Sequence, residues 1–379
     1  MLGLMASVHP ASEQPLILVT CGDPAGIGPE VVARAWQRPA VHEQARLRVM
    51  ADATLLAAVL GRRASLESTR IVTVAIDDPR PSRPDELLVV EPAGRRILPA
   101  AIRDATITAA GGAAAAEAVQ QAAAAVLAGS AAAVVTGPLH KEALHAAGYD
   151  APGHTELLAR ACGLPDAAAS MMLWLPGTAN RSPLGVVHAT LHESLRTAIA
   201  RLSTETIFTA GLRLHAGLSR LRGERPGIAV AALNPHGGEG GLFGDEEARI
   251  IAPAVEQLAR AGVAVTGPLP ADTLFARAFR GEFAGVVALY HDQGHIPVKL
   301  LGMHEAVNIT LGLPLVRTSV AHGTAFDIVG TGRADPASML AAIDAAIRLV
   351  AHRTASDFPT TARSSTPGSA TPEPFPPQA

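Results

Sequence analysis

The chain is poor in cysteine, in lysine and in net charge. Its 379 residues include two cysteines, Cys21 and Cys162, which allow at most one disulfide and exclude a zinc module built on cysteine ligands. The 31 basic and 34 acidic residues give a formal charge of −3 without a run of one sign, so no nucleic-acid partner is expected. The first ten residues, MLGLMASVHP, lack the pattern of a signal peptide, which predicts a cytoplasmic protein.

Long uninterrupted hydrophobic runs are also missing. The most apolar region, residues 109–139, is interrupted by glycines, by Glu117 and by two glutamines. This pattern predicts an alanine-rich helix followed by a buried strand, and no membrane partner.

What the chain does contain is an alternation of two patterns. Short apolar runs are typical of strands covered on both faces, and they occur at Leu16–Thr20, Ala132–Thr136, Leu184–His188, Gly227–Leu233 and Gly285–Tyr290. Segments with helical spacing lie among them, at residues 142–147, 155–162, 193–202, 246–261 and 336–350. The alternation predicts a layered α/β fold with largely parallel strands, in which ligands bind beyond the carboxyl ends of the strands.

Residues 353–379 are rich in Pro, Ser and Thr, and we expect this tail to be disordered. Deleting everything after Arg353 is therefore expected to leave specific activity unchanged, because the tail has little apolar surface to bury. Assays of the truncated and full chains side by side would check this, and sharply lower activity of the truncated chain would contradict it.

Lysine is nearly absent. Of the 31 basic residues only Lys141 and Lys299 are lysine. This scarcity indicates that the two lysines occupy positions where a guanidinium cannot replace a compact ammonium group. The alternative is chance survival on a solvated surface. Both lysines lie in polar segments with glycines nearby.

Two glycine-containing segments predict loops at the ends of strands. Residues 20–30, TCGDPAGIGPE, lack the third glycine of the dinucleotide fingerprint, and the chain has no P-loop motif; a tight turn before a helix remains an alternative. Residues 136–144 and 148–156 contain two helix starts with His140, Lys141, His154 and Thr155. Exposed backbone N–H groups and these side chains predict a site for a phosphate or carboxylate.

Several histidines follow predicted strands, beside glycine. His192, His236 and His291 are separated by 44 and 55 residues, a spacing that fits ligands gathered from different strand ends. Three neutral imidazoles favour zinc or a similar divalent ion with one position open to substrate. His188 and His295 are interpreted as structural histidines, and Asp292 could orient a ring or accept a proton.

Three polar residues at nine-residue intervals interrupt the last apolar segments. Lys299, Asn308 and Arg317 are predicted to lie in apolar strands, where buried cations need an anionic partner. Together they predict a pocket for a small, doubly anionic ligand; exposed strand faces are the alternative.

These motifs resemble the 4-hydroxythreonine-4-phosphate dehydrogenases of vitamin B6 biosynthesis and their close paralogues. The resemblance extends from residue 16 to residue 350 and rests on motifs in the family's order: GDPAGIGPE, TGPLHKEAL, GHTELLA, LNPHGGEGG, PADTLF, YHDQGH, VNITLGLPLVRTS and HGTAFDI. It implies a fold of two layered α/β domains like isocitrate and isopropylmalate dehydrogenases, with the active site in the cleft between them. The implied domains are residues 15–136 plus 315–352, which carry the nucleotide loop, and residues 137–314, which carry the metal and substrate site.

The resemblance also implies roles for individual residues. One divalent ion, Zn, Mg, Co or Mn, would be held by His192, His236 and His291. The implied substrate contacts are His154, Thr155, Lys299, Asn308 and Arg317, and the implied loop for NAD or NADP is His322, Gly323, Thr324 and Ala325. The candidate catalytic residues are Lys299, Asp272 and Asp292, of which the two aspartates would support the metal ligands or transfer a proton.

The implied reaction is metal-dependent oxidation of 4-phosphooxy-L-threonine to a β-keto acid, which decarboxylates to 3-amino-2-oxopropyl phosphate. The implied assembly is a homodimer with its active site at the subunit interface. Paralogues oxidise D-threonate or D-erythronate 4-phosphate to dihydroxyacetone phosphate. A metal-dependent phosphoesterase without redox chemistry, or a protein that only binds phospho-acids, remains open on the sequence.

Overall fold

A computed structural model describes residues 14–352 of the chain, except residues 64, 68 and 95. The tail for which we predict disorder, residues 353–379, lies outside the described residues. Among the described residues, no helix has the length and apolar character needed to cross a membrane.

The described strands form one mixed sheet of twelve strands, in the order β3-β4-β2-β1-β5-β12-β11-β6-β7-β10-β8-β9. The strands are β1 Leu16–Thr20, β2 Arg46–Met50, β3 Ile71–Thr73, β4 Leu87–Val90, β5 Ala133–Thr136, β6 Ser170–Leu175, β7 Leu184–His188, β8 Ile228–Ala231, β9 Val265–Leu269, β10 Gly285–Ala288, β11 Val307–Leu311 and β12 Arg317–Val320. Each of the five predicted apolar runs contains one of these strands.

Both ends of the sheet are parallel, whereas its centre is antiparallel. The antiparallel pairs are β12 with β11, β11 with β6, and β6 with β7. Strands from residues 15–136 and 315–352 occupy one half of the order, and strands from residues 137–314 occupy the other. The prediction of an α/β fold with largely parallel strands is confirmed, while the division into two domains at these boundaries stays a prediction.

Helices cover the sheet, and each of the five predicted helical segments overlaps one of them. The helices are α1 Gly28–Trp36, α2 Ala40–Glu43, α3 Ala53–Leu60, α4 Ala109–Leu127, α5 Lys141–Ala146, α6 His154–Ala161, α7 Leu195–Arg201, α8 Thr204–Arg222, α9 Ala252–Arg260, α10 Ala271–Phe279, α11 His291–Gly302 and α12 Ala337–Ala351.

Local sequence explains the bounds of the two longest helices. The Thr108 hydroxyl accepts a hydrogen bond from the Gly111 N–H at the start of α4, and Ser203 and Thr206 form a capping box at the start of α8. Helix α8 ends at Gly223, whose φ of 70° is the left-handed conformation that favours glycine. The alanine-rich segment is therefore a packed helix, as its composition predicts.

Candidate active site

The candidate site lies beyond the carboxyl ends of parallel strands. Strands β7 and β10 are parallel neighbours with His188 opposite Ala288, so the loop after β7 and the start of α11 meet at one edge of the sheet. Strands β1, β5 and β12 are also parallel neighbours, and their loops meet in the same way. This arrangement is the one predicted for ligand binding in an α/β fold.

A cavity of about 890 Å³ opens at this edge. It brings together nine of the predicted site residues. They are His154, Thr155, His192, His291, Lys299, Asn308, Arg317, His322 and Gly323. These nine residues, from α6, α11, β11, β12 and the loops after β7 and β12, therefore share one space, although up to 169 positions of sequence separate them.

Arg317 is a buried cation whose contacts are all neutral. Its side chain is 1% exposed. Nε and Nη2 donate to the Thr136 hydroxyl at 3.1 and 2.7 Å, and Nη1 donates to the Thr310 hydroxyl at 3.0 Å. Burial lowers the pKa of Arg317 to about 9, and the charge of Glu156 only partly opposes this. A buried guanidinium with hydroxyl partners alone is suited to bind an anion from the cavity.

Two neighbours of Arg317 present buried polar atoms without a partner among the described residues. They are Nε2 of His154, in the first turn of α6, and Oδ1 of Asn308 on β11. Burial, together with the charge of Arg317, lowers the pKa of His154 well below its usual range, so its ring is neutral. These atoms offer directed hydrogen bonds to a ligand beside the Arg317 charge.

Lys299 lines the same cavity but lies on helix α11. The prediction that it interrupts an apolar strand is wrong, because VKLLG continues the helix that begins at His291. Its side chain is exposed rather than buried. Helix α11 thus brings the Lys299 ammonium group to the cavity from outside the sheet, whereas Asn308 and Arg317 lie on strands as predicted.

His192 and His291 lie close together at the mouth of the cavity, with ring centroids 5.8 Å apart. The Asp292 carboxylate lies 2.6 Å from Nδ1 of His291, a contact that orients a metal-binding ring. Partial desolvation and the charge of Lys141 lower the pKa of His192, which favours the neutral form that binds metals. Two imidazoles, one of them oriented by a carboxylate, fit a divalent transition ion.

Two further histidines extend this group into the protein. His295 stacks on His291 at 3.7 Å between centroids, and its Nδ1 lies 3.1 Å from Nε2 of His188. Burial, with a smaller contribution from the proximity of His291 and Lys299, lowers the pKa of His295 to about 4. Both histidines are buried and line the cavity. They therefore support His291, consistent with the structural role predicted for them.

His236 is not among the residues of this cavity. It lies exposed in the short 3₁₀ segment Pro235–Gly241, whose residues 236–240 all have positive φ. The Glu247 carboxylate holds the start of this segment by accepting hydrogen bonds from the N–H groups of Leu233 and Asn234, both at 2.8 Å. Within residues 14–352, apart from the three undescribed positions, no three His, Cys, Asp or Glu side chains converge to hold a metal ion.

The two remaining predicted catalytic residues lie on separate surfaces. Asp272 is exposed in the first turn of α10. Pro270, which directly precedes this helix, lies close to Gly237. Asp292 lines a second cavity of about 610 Å³, together with His192, His291 and Leu195. Asp272 is therefore a neighbour of the His236 segment, and Asp292 of the other two histidines.

The predicted nucleotide loop borders the main cavity at His322 and Gly323. Nε2 of His322 is buried without a partner among the described atoms, while its Nδ1 lies 2.9 Å from the Gly323 carbonyl. Open space surrounds the Cα of Gly323, since a Cβ there would meet no atom within 4 Å. A ring nitrogen without a partner, beside accessible backbone, fits a dinucleotide ligand. Thr324 and Ala325 follow in the same loop, outside the cavity lining.

The prediction from sequence missed three residues that shape the site. Thr136 and Thr310 position the Arg317 guanidinium, and Glu156 lines the cavity next to it. Thr136 and Glu156 lie inside the segments already singled out for anion binding, but hydroxyl and carboxylate roles cannot be read without knowing which strands are neighbours.

Similarity to known proteins identifies the family of this chain. The family described as "Pyridoxal phosphate biosynthetic protein PdxA" matches residues 43–346. This chain belongs to that family.

Named members of the family are dehydrogenases. A D-threonate 4-phosphate dehydrogenase of Cupriavidus necator is 43% identical over 341 residues, covering 89% of this chain and 98% of that protein. A 4-hydroxythreonine-4-phosphate dehydrogenase of Geobacter metallireducens is 43% identical over 339 residues, covering 87% and 94%. The crystal structure of a 4-hydroxythreonine-4-phosphate dehydrogenase from Klebsiella pneumoniae matches with a TM-score of 0.77 at 41% identity, covering 89% and 100%. The family, the fold and the dehydrogenase class predicted from the motifs are confirmed.

Proposed function

We propose that this PdxA family member oxidises 4-phosphooxy-L-threonine with NAD or NADP and a divalent ion. The product is a β-keto acid that loses CO₂ to give 3-amino-2-oxopropyl phosphate. The observation that carries the proposal is the buried Arg317 guanidinium, bonded only to hydroxyl groups, in a cavity that also contains Lys299 and His154. A small substrate with phosphate and carboxylate groups supplies the charge this cavity needs.

The residues of the chain have separate roles in this proposal. Arg317, with His154 and Asn308, binds one anionic group, and Lys299 at the open side binds the other or moves a proton. His192 and His291 would hold the cation, and His322 and Gly323 would contact the dinucleotide. When bound, the cation would lower the pKa of the substrate hydroxyl, and the dinucleotide would accept the hydride. Asp292 keeps the His291 ring in place.

We further propose that a homodimer completes the metal site. His236 is exposed outside the main cavity, and Leu242 and Phe243 follow it with 77% and 52% of their surface exposed. The second cavity, beside His192 and His291, has Leu195 on its wall, 55% exposed. Exposed apolar surface of this kind is typical of protein interfaces. The His236 segment of one protomer would enter the second cavity of its partner and carry Asp272 with it.

D-threonate 4-phosphate is the second candidate substrate. The observation in its favour is that a relative with this name and one named for 4-hydroxythreonine 4-phosphate are equally similar to this chain, at 43% identity. The two substrates share the phosphate and carboxylate groups and differ in an ammonium or a hydroxyl group at C2. The anion contacts at Arg317 therefore serve both.

A panel of four-carbon phospho-hydroxy acids would test the proposal. Each acid is incubated with the protein, with NAD or NADP and with Zn²⁺, Mg²⁺, Co²⁺ or Mn²⁺, while reduced nicotinamide and free phosphate are both followed. Faster formation of reduced nicotinamide with 4-phosphooxy-L-threonine than with the other acids supports the main proposal. Faster formation with D-threonate 4-phosphate supports the second. Free phosphate without reduced nicotinamide would identify a phosphoesterase and overturn both.

Lys299→Arg is expected to lower kcat/KM although it keeps the charge. Arginine occupies 29 of the 31 basic positions, so a lysine on the cavity wall indicates a need for its shape or its exchangeable proton. Loss of one well-placed charged contact costs about 2 to 4 kcal/mol in the transition state, roughly 30- to 1000-fold in rate. Steady-state kinetics on the identified substrate would measure it. Parental kcat/KM in this variant would show that the lysine is an accident of composition.

A further inference from the structure

The glycine-containing segment after β1, residues 21–30, has no role in the proposed reaction so far. None of its residues belongs to the described lining of the main cavity. The segment nevertheless contains Glu30, whose side chain is 1% exposed. Burial of a carboxylate costs free energy unless it is paired, so the position of Glu30 indicates a specific structural role.

Gly26 and Ile27 of this segment pack directly against the nucleotide loop. The Ile27 N–H donates to the Thr324 carbonyl at 3.0 Å. A Cβ on Gly26 would lie 2.8 Å from both the Cβ and the carbonyl oxygen of Thr324. Glycine at 26 is therefore required by the closeness of Thr324, and any larger residue would displace it.

Glu30, the last residue of the segment, holds the chain further on, at Gly330, the last residue of loop 322–330, which contains the nucleotide loop. Oε1 of Glu30 accepts a hydrogen bond from the Gly330 N–H at 2.9 Å and lies 3.4 Å from Nη1 of Arg63. The Arg63 side chain is 0% exposed, and its Nη2 lies 3.1 Å from the Asp104 carboxylate. Glu30 and Arg63 thus form a buried ion pair that ends on the backbone of the loop at Gly330.

The loop between these two anchors is strained. Ala325 has φ of 44°, an unfavourable value for a residue with a Cβ. Strained backbone of this kind persists only when its surroundings hold it, and it is common at ligand sites. A buried ion pair contributes little net stability, since desolvation of two charges opposes their attraction. The contribution of this ion pair is therefore to fix the position of the loop backbone at Gly330 rather than to stabilise the fold.

We propose that Glu30 and Arg63 are positioning residues that, together with Gly26, hold loop 322–330 in the conformation that binds the nicotinamide dinucleotide. This inference rests on the proposed function, because it takes that loop as the dinucleotide site. The segment after β1 then acts on the cofactor without touching it, which explains its glycine and its buried carboxylate together.

Two variants test the proposal from opposite ends of the loop. Glu30→Gln keeps the shape but removes the charge that pairs with Arg63, and Gly26→Ala displaces Thr324. For each metal-loaded, full-length variant, the Kd of NAD and of NADP is measured by calorimetry, and kcat and both KM values by steady-state assay. We expect the dinucleotide Kd and KM to rise about fivefold or more. The substrate KM, and kcat at saturating dinucleotide, should stay within about twofold of the parent.

Arg48→Met is the matched control. Arg48 is 0% exposed in the same half of the sheet, but it donates to the carbonyls of Leu47, Asp78 and Arg80 and makes no hydrogen bond to the nucleotide loop. The Arg48→Met substitution should lower the unfolding temperature without weakening dinucleotide binding. An equal loss of dinucleotide affinity in Arg48→Met, or unchanged affinity in the two test variants, would overturn the inference.

The parent protein separates this inference from the proposed function. A parent that binds neither NAD nor NADP would overturn both. A parent that binds one of them, with variants that bind it equally well, would overturn the inference alone. If Glu30→Gln does not fold, Gly26→Ala still decides, because it removes no buried charge.

Discussion

His236→Ala is expected to abolish turnover and to leave the protein folded. The residue is exposed in a loop held by Glu247, so truncation removes little packing. If His236 is one of three metal ligands, as proposed, its loss should release the cation. The transition state would then lose several kcal/mol of stabilisation, about 1000-fold or more in kcat/KM. Bound metal is measured by elemental analysis and folding by thermal unfolding. Full metal occupancy in the variant would reject His236 as a ligand.

Mixing two inactive variants tests whether His236 acts across a dimer. When His236→Ala and His192→Ala protomers are combined at equal amounts and reassociated, each mixed dimer contains one site with all three histidines. About a quarter of parental activity should return, because half of the dimers are mixed and half of their sites are intact. If His236 acted within its own chain, every site would lack a ligand and the mixture would stay inactive.

Arg317→Met is expected to separate activity from stability. The guanidinium is buried with only hydroxyl partners, so replacing it with an apolar side chain of similar length removes a charge that costs folding energy. The free energy of unfolding should be unchanged or rise by about 1 kcal/mol. Removal of the charged contact should lower kcat/KM by about 100- to 1000-fold, mainly through weaker binding of the phospho-acid.

The Arg48→Met variant is again the control, with the opposite expectation. Arg48 donates to three backbone carbonyls, which would lose their partner in the variant. The free energy of unfolding should therefore fall by about 2 kcal/mol. Activity of the folded fraction should match the parent. Urea unfolding and steady-state kinetics of both variants would measure the contrast. A strong loss of stability in Arg317→Met with parental kcat/KM would show that Arg317 is structural.

The site illustrates why some residues were predictable and others were not. His192 and His291 follow apolar strands, and because β7 and β10 are parallel neighbours, both histidines arrive at one edge of the sheet. The run around Lys299 misled, since VKLLG is as apolar as a strand but continues helix α11. Short apolar runs do not distinguish the two, and only the packing of α11 against the sheet decides between them.

The sequence by itself determined the family, the alternation of strand and helix, and the chemistry of the side chains that line the cavity. These properties depend on residue types and on short-range order, which a linear pattern records. Tertiary structure alone decided which hydroxyls face Arg317, that Glu30 reaches Gly330 across 300 positions, and that His236 lies outside the cavity its chain forms. Those facts depend on which strands are neighbours and on where a loop with six positive φ values turns, and neither is encoded in local periodicity.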